Sequence, residues 1–310
     1  MKQKTRTVAG LAKLFLTEKY KQDLKESTYA RYAYLCKKYI TPYFGEMTTE
    51  ELNNQAIKKF INHLQINSLK SNPLAPKTVN DILNLFLQIV KRYCNFEIDI
   101  KKPSYMQSEI NVFTEVEYSK LKSYLSVGKD NSKLGIMIAT LTGIRLGELC
   151  ALKWENIDLE NGVMYINKTI QRVNRNDGKE NQKPKTKIVI DTPKSVASIR
   201  TIPLPLVLIN TLNKFKSHPN TYILTNTKKY IEPRIYQRHF KAHLKACNIK
   251  DCKFHTLRHT FATMAIERSV DIKTLSVLLG HSDVSFTMRI YVHPNLEHKR
   301  NQIEKLALGF

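Results

Sequence analysis

The chain has 310 residues, 42% of them hydrophobic, which is room for two domains of ordinary size and too much apolar content for a disordered chain. Fifty Lys+Arg against 27 Asp+Glu give a net charge of +23, which suits a polyanionic partner, nucleic acid first and an anionic membrane surface second. No apolar run approaches the ~18 residues of a membrane span, and no apolar signal core follows the basic start, so a cytoplasmic protein is expected.

From Val8 to about residue 96 the periodicity is helical. Leu11, Leu14 and Phe15 begin one amphipathic helix. After Ser27, read as an N-cap, Tyr29, Tyr32, Leu35, Cys36 and Tyr39 carry a second, which Pro42 and Gly45 are expected to stop. A third runs from Thr49 through Leu52, Ile57, Phe60, Ile61 and Leu64. A fourth starts near Pro76 and carries Val79, Ile82, Leu83, Phe86, Ile89, Val90 and Tyr93. The tyrosine stripe reads as core before it reads as a DNA-stacking surface. Arg31, Lys37 and Lys38 between those tyrosines are better DNA-contact candidates, although a solvated face explains them equally well. A four-helix domain over residues 1–100 is therefore expected, followed by a linker over 101–111 that begins with Lys101, Lys102 and Pro103.

A second domain over 112–310 opens at Thr114-Glu115-Val116-Glu117, a capping-box sequence with Thr114 as N-cap. A helix around Lys133 to Leu141 ends at Gly143, and a short one follows from Leu146, with Trp154 packed just after it. Strands are expected at Val163 to Ile170, Lys187 to Ile190 and Ile199 to Pro203. The remainder reads as helical apart from a short apolar run at Tyr222 to Leu224. The fold class is thus mainly α with a small antiparallel β-sheet.

The chemistry-bearing residues cluster late. His255-Thr256-Leu257-Arg258-His259 opens a helix, and spacing of three lets His255 and Arg258 reach one phosphate. Leu279-Gly280-His281 reads as a helix end, and Tyr291 lies ten residues beyond His281. Far upstream, Arg145 stands in Thr142-Gly143-Ile144-Arg145-Leu146-Gly147-Glu148, with Glu148 as its natural partner. Planar guanidinium groups match the non-bridging oxygens of a phosphodiester in a bidentate way. A phenol must lose its proton to attack phosphorus, and a departing 5′ oxygen must gain one. His255 and His259 stand four apart, the spacing of the zinc-binding HExxH pattern, but Thr256 occupies the place of its glutamate, so no metal site is expected. The five cysteines are odd in number and form no CxxC pair, which speaks against disulfide and zinc frameworks. Arg234, Arg238, Lys241 and Lys245 recur on one face of the helix before His255 and are candidate DNA contacts.

The order Arg145, then His255 with Arg258, then His281 and Tyr291 resembles the tyrosine recombinase (phage integrase) family. Asp191-Thr192-Pro193-Lys194-Ser195 resembles that family's lysine turn between two strands, with Lys183, Lys185 and Lys187 as close rivals of Lys194. The resemblance implies an N-terminal helical core-binding (SAM-like) domain, a C-terminal catalytic domain and a site-specific recombinase that joins DNA through a 3′-phosphotyrosyl link. It implies Tyr291 as nucleophile, Arg145 and Arg258 on the phosphate, His281 adding a hydrogen bond, His255 assisting the tyrosine proton and Lys194 as general acid. Glu148 would orient Arg145, and His259 would be structural. No metal, nucleotide or other cofactor is implied. The expected partners are double-stranded recombination sites, three further copies in a tetramer on DNA, and accessory bending and directionality factors. Phage or mobile-element integration or excision fits the residues around Tyr291 better than Xer-type dimer resolution. A type IB topoisomerase and a catalytically idle DNA-binding accessory factor are the competing classes. By analogy with the family, the apolar positions Leu296, Ile303, Leu306, Leu308 and Phe310 are expected to dock on a neighbouring copy, with folding back onto their own domain as the alternative. About seven residues precede the first helix, so the additional arm-binding domain of many integrases is not expected ahead of it.

Overall fold

In the computed structural model the described residues are 7–21, 24–66, 73–95, 97–104, 110–128, 130–175, 185–193, 196–291, 300, 303, 304 and 307. The chain divides into two compact units, Met1–Ser108 with Arg172–Lys187, and Glu109–Gln171 with Ile188–Phe310.

In the first unit α1 (Val8–Lys21) buries Val8, Leu11, Ala12 and Phe15 at the expected spacing. The second helix departs from expectation at both ends. Lys25, not Ser27, is the N-cap of α2 (Glu26–Leu35). Pro42 does not stop it: a π-helical turn, Cys36–Ile40, follows directly and α3 (Thr41–Phe44) continues. The amide of Thr41 donates to the Cys36 carbonyl, so the helix widens just ahead of a residue that has no N–H to give and whose ring crowds the preceding turn. Gly45 then closes the helix, its amide on the Thr41 carbonyl at 2.9 Å.

The third helix starts later than its apolar spacing implied. The Thr48 amide donates to Glu51 Oε2 at 2.8 Å and the Glu51 amide returns to Thr48 Oγ1 at 3.4 Å, closing a turn before α4 (Asn54–Ile66). α5 (Pro76–Tyr93) begins at its proline, where a missing donor costs nothing. Phe44 stacks on Phe86 with ring centroids 4.5 Å apart, and Phe60 meets both edge-on. Tyr32 and Tyr39 lie partly buried on this core, as a core stripe should. Arg31 pairs with Asp81 at 2.6 Å.

In the second unit α6 (Glu115–Leu125) carries the expected capping box: the Thr114 amide donates to Glu117 Oε2 at 2.9 Å and the Glu117 amide to Thr114 Oγ1 at 3.2 Å. α7 (Asn131–Thr142) ends at Gly143, whose φ of 64° is left-handed. α8 (Leu146–Ala151) follows, and Trp154 is buried in the short turn after it. The expected long strand at 163–170 is two strands in two sheets, β2 (Val163–Ile166) and β3 (Thr169–Asn174). β1 (Ile157–Asp158), which the sequence did not announce, pairs antiparallel with β2, and β2 with β5 (Arg200–Pro203), Met164 facing Ile202. β3 pairs with β4 (Thr186–Asp191), and the stretch Arg172–Lys187 that joins them is counted with the first unit. Tyr222 forms only single bridges, to Lys153 and Thr227.

The helices α9 (Leu206–Phe215), α10 (Pro233–Ala246), α11 (His255–Glu267), α12 (Ile272–Leu279) and α13 (Val284–Tyr291) complete this unit. Its main core gathers Ile136, Leu149, Met164, Ile202, Tyr236 and Phe240. A smaller cluster of Ala262, Leu275, Leu279, Ile290 and Tyr291 binds α11, α12 and α13 together. Of the tail's apolar positions only Ile303 lies among the described residues, where it is exposed; Leu296, Leu306, Leu308 and Phe310 lie outside them.

Candidate active site

Gly143 turns the chain sharply out of α7, so that Ile144 is buried and Arg145 becomes the N-cap of α8. Glu148 then holds Arg145 twice: Oε2 accepts the Arg145 amide at 2.9 Å and Oε1 accepts Nη1 at 2.8 Å. The same carboxylate, 2% exposed, accepts Arg200 Nη2 at 2.9 Å and Nη1 at 3.2 Å. Burial alone would raise the Glu148 pKa, but the hydrogen bonds and charge of Arg200, with the charge of Arg145, outweigh it and hold the group below its ordinary value. Glu148 is therefore an anion at neutral pH.

Arg200 was not among the sequence candidates. It stands in β5 on the same inward face as Ile202, and its side chain is 3% exposed. A cation at an inward position of a strand was the available signal, since burying one requires a paired charge.

The end of α12 explains why three arginines meet. Its last carbonyls have no partner within the helix and form the negative end of its dipole. Leu278 O accepts Arg200 Nε at 2.6 Å, Leu279 O accepts Arg258 Nη2 at 2.6 Å, and Gly280 O accepts Arg145 Nη2 at 3.0 Å. Gly280, with φ of 65°, supplies the left-handed turn that presents these oxygens. Arg258 is 2% exposed and also donates Nη1 to Gly143 O at 2.8 Å, tying the ends of α7 and α12 together. Burial and the charge of Arg145 pull its pKa down to about 9, so it remains a cation at neutral pH. Arg145 and Arg200 thus bond one buried carboxylate, and Arg258 lies close enough to feel its charge. The described cluster holds two positive charges in excess, which a bound anion would balance.

The histidines and the tyrosine lie beside this cluster. His281 Nε2 is 2.8 Å from Arg258 Nη2 and its Nδ1 is 2.7 Å from Thr287 Oγ1. Arg258 can only donate, so Nε2 accepts and Nδ1 carries the proton. Burial and the charges of Arg258, Arg145 and Arg200 push the His281 pKa down to about 3. His255 lies at the exposed mouth of the site, its ring edge-on to His259 with centroids 4.6 Å apart. Partial desolvation, then His259 and the two arginines, lower its pKa.

Tyr291 is 9% exposed, and its hydroxyl lies 2.8 Å from His259 Nδ1. Desolvation raises its pKa, while Arg258 and Arg145 pull the other way. The histidine on the phenol is therefore His259, which its sequence context marked as structural, and not His255.

Arg145, Glu148, Arg258, His281 and Tyr291 converge, with His255 at the rim. Lys194 lies outside the described residues, as does its rival Lys183. Arg234, Arg238, Lys241 and Lys245 are all exposed along α10, opposite the buried Tyr236, Phe240 and Leu244. Lys241 is paired with Asp251 at 2.6 Å. Among the described residues no group of three or more His, Cys, Asp or Glu side chains could hold a metal ion. No helix among them is long and apolar enough to cross a membrane.

The geometry agrees with what the chain is similar to. The model of the phage integrase family matches residues 111–298, and that of the phage integrase N-terminal SAM-like domain matches residues 7–65. The chain is 29% identical to a XerC-like tyrosine recombinase of Caldanaerobacter subterraneus subsp. tengcongensis, over 97% of this chain and 82% of that protein. It is 24% identical to the ICEBs1 integrase of Bacillus subtilis, over 92% of this chain and 78% of that one. In fold it is similar to the Tn1549 transposon integrase in complex with transposon right end DNA, with a TM-score of 0.77, 19% identity and coverage of 97% and 100%. The family match spans more than half of the sequence and includes every convergent side chain described above, so this chain belongs to the phage integrase family and is a tyrosine recombinase, a site-specific enzyme that cleaves and rejoins DNA.

Proposed function

We propose that Tyr291 is the nucleophile of this recombinase and that Arg145 and Arg258 hold the scissile phosphate. The observation that carries this reading is the excess positive charge gathered at the end of α12, next to the Tyr291 ring. The Tyr291 oxygen bonds to phosphorus, the bond from phosphorus to the 5′ oxygen breaks, and a 3′-phosphotyrosyl link and a 5′ hydroxyl result. The two guanidinium groups neutralise the charge that grows on the non-bridging oxygens. His281 donates a hydrogen bond from Nε2 once that nitrogen is released from Arg258 and carries the proton, Nδ1 then accepting from the Thr287 hydroxyl, and Glu148 holds Arg145 in place. Lys194 protonates the departing oxygen, and His255 at the rim assists proton movement. The covalent link conserves the energy of the broken bond, so rejoining is the reverse step and needs no nucleotide.

Residues 1–100 serve as the core-binding domain and 112–310 as the catalytic domain. The exposed cations Arg234, Arg238 and Lys245 of α10 contact the duplex, with Lys241 a weaker contributor because Asp251 already neutralises it. Two duplexes cut on both strands require four protomers, so a tetramer assembles on DNA, in the cytoplasm, with accessory bending and directionality factors. Similarity to the ICEBs1 and Tn1549 integrases favours integration or excision of a mobile element. The XerC-like relative favours chromosome dimer resolution as the second reading. Direct repeats bounding the gene, if sequencing of its flanks finds them, decide for the first.

The reading is tested by trapping. Nicked suicide duplexes built from those repeats are incubated with the protein, and the covalent product is digested and weighed by mass spectrometry. The nucleotide adduct is expected on the peptide that contains Tyr291; an adduct on any other residue would overturn the assignment.

A further inference from the structure

We propose that His259 takes the proton of Tyr291 as its oxygen attacks phosphorus, a role that rests on reading Tyr291 as the nucleophile. The phenol oxygen lies 2.8 Å from His259 Nδ1, within direct proton-transfer reach. α11 and α13 fix this pairing. They are joined through the buried cluster of Ala262, Ala265, Leu275, Leu279 and Ile290, and the two rings sit tilted with centroids 5.7 Å apart. His255 is one helical turn away on α11, its ring edge-on to that of His259 with centroids 4.6 Å apart, and the hydrogen bond of the phenol goes to His259. His255 is therefore placed to relay a proton from His259 and not to take one from the phenol directly.

The protonation state fits the task. Burial and the charge of Arg258 lower the His259 pKa, so the imidazole is neutral before the reaction. A neutral ring with its proton on Nε2 offers the Nδ1 lone pair to the phenol. In the step itself the Tyr291 O–H bond breaks as the oxygen–phosphorus bond forms, and the proton passes to Nδ1. The bond to the 5′ oxygen breaks, and that oxygen takes a proton from the leaving-group acid. The imidazolium so formed faces a phosphate that is gaining negative charge, which offsets the penalty that lowers its basicity in the empty site. Rejoining returns the proton from Nδ1 to the tyrosine.

The experiment follows single-turnover formation of the covalent adduct on a nicked duplex that the wild-type protein cleaves. His259→Ala, His259→Asn and Tyr291→Phe are compared, each histidine variant being prepared with tyrosine or difluorotyrosine at position 291. Asparagine keeps an amide within hydrogen-bond reach of the phenol but has no basic nitrogen. Both histidine variants should bind the duplex as the wild type does and cleave it roughly 10²-fold more slowly, the scale of a lost general base. Difluorotyrosine has a more acidic phenol and should restore most of that loss. Cleavage at the wild-type rate by His259→Asn, or a loss that difluorotyrosine leaves unchanged, would overturn the proposal, because a packing defect does not respond to phenol acidity. Adduct formation by Tyr291→Phe would instead overturn the assignment of the nucleophile, and this proposal with it.

Discussion

At the scale of single residues, the site is a problem of charge. Arg258 donates to Gly143 O, to Leu279 O and to His281 at once, which a lysine ammonium on a flexible stem cannot reproduce. Arg258→Lys is expected to slow adduct formation by roughly 10²–10³-fold while leaving DNA retention in gel shifts intact. Glu148→Gln strands Arg200 in the interior without its counter-charge and is expected to cost about 3–5 kcal/mol, read as a lower urea midpoint. Acid should act on the same groups. Glu148 has a folded pKa below its ordinary 4.5, so the stability it contributes is present above that value and is lost as pH falls through the folded one. His281 falls from 6.5 to about 3 on folding, so the unfolded chain binds its proton first and stability declines as pH drops through that window. The decline in urea midpoint between pH 6.5 and 4.5 is therefore expected to shrink in His281→Asn. Arg145, Arg258, His281 and Tyr291 were legible in the sequence because the motifs around them are local. Arg200 was hidden because it looks like an ordinary strand residue until its burial is known. His259 was hidden because its partner lies 32 residues along the chain, and no short spacing announces that pairing.

At the scale of elements, the C-terminus of α12 organises the site, and its closing glycine is the sensitive point. A Cβ on Gly280 would lie 3.0 Å from Arg200 Nη1 and 3.1 Å from its Cδ, on a backbone with φ of 65°. Gly280→Ala is expected to cost about 1–2 kcal/mol for the left-handed backbone, and to slow cleavage further by displacing the carbonyls that hold the arginines. α10 offers a separable test, because its cations are exposed and outside the charge cluster. Replacing Arg234, Arg238 and Lys245 by alanine should flatten the salt dependence of DNA binding by about 0.9 in log–log slope for each phosphate no longer neutralised. Lys241→Ala should change it less, since Asp251 already shares that charge. Helix existence was legible from apolar period, and the Thr114 cap from its own letters. The ends of the second and third helices were not. A π turn carries the chain past Pro42, and a side-chain-closed turn at Thr48 and Glu51 delays α4; neither leaves a mark in the spacing of apolar residues. The split of the 163–170 stretch into two sheets was equally invisible, because pairing partners and not local propensity decide where a strand changes sheet.

At the scale of the molecule, a net charge of +23 keeps the protein near DNA, but binding alone does not distinguish a recombinase from a DNA-bound accessory factor. The mainly helical class followed from periodicity. The chemistry followed from four short motifs that folding brings to one helix end. The most direct test is a pair of single-turnover reactions on a nicked suicide duplex, one with the wild-type chain and one with Tyr291→Phe. Loss of the single phenolic oxygen should abolish the covalent protein–DNA product and leave the gel-shift affinity unchanged. A covalent product of undiminished yield from Tyr291→Phe would contradict the account.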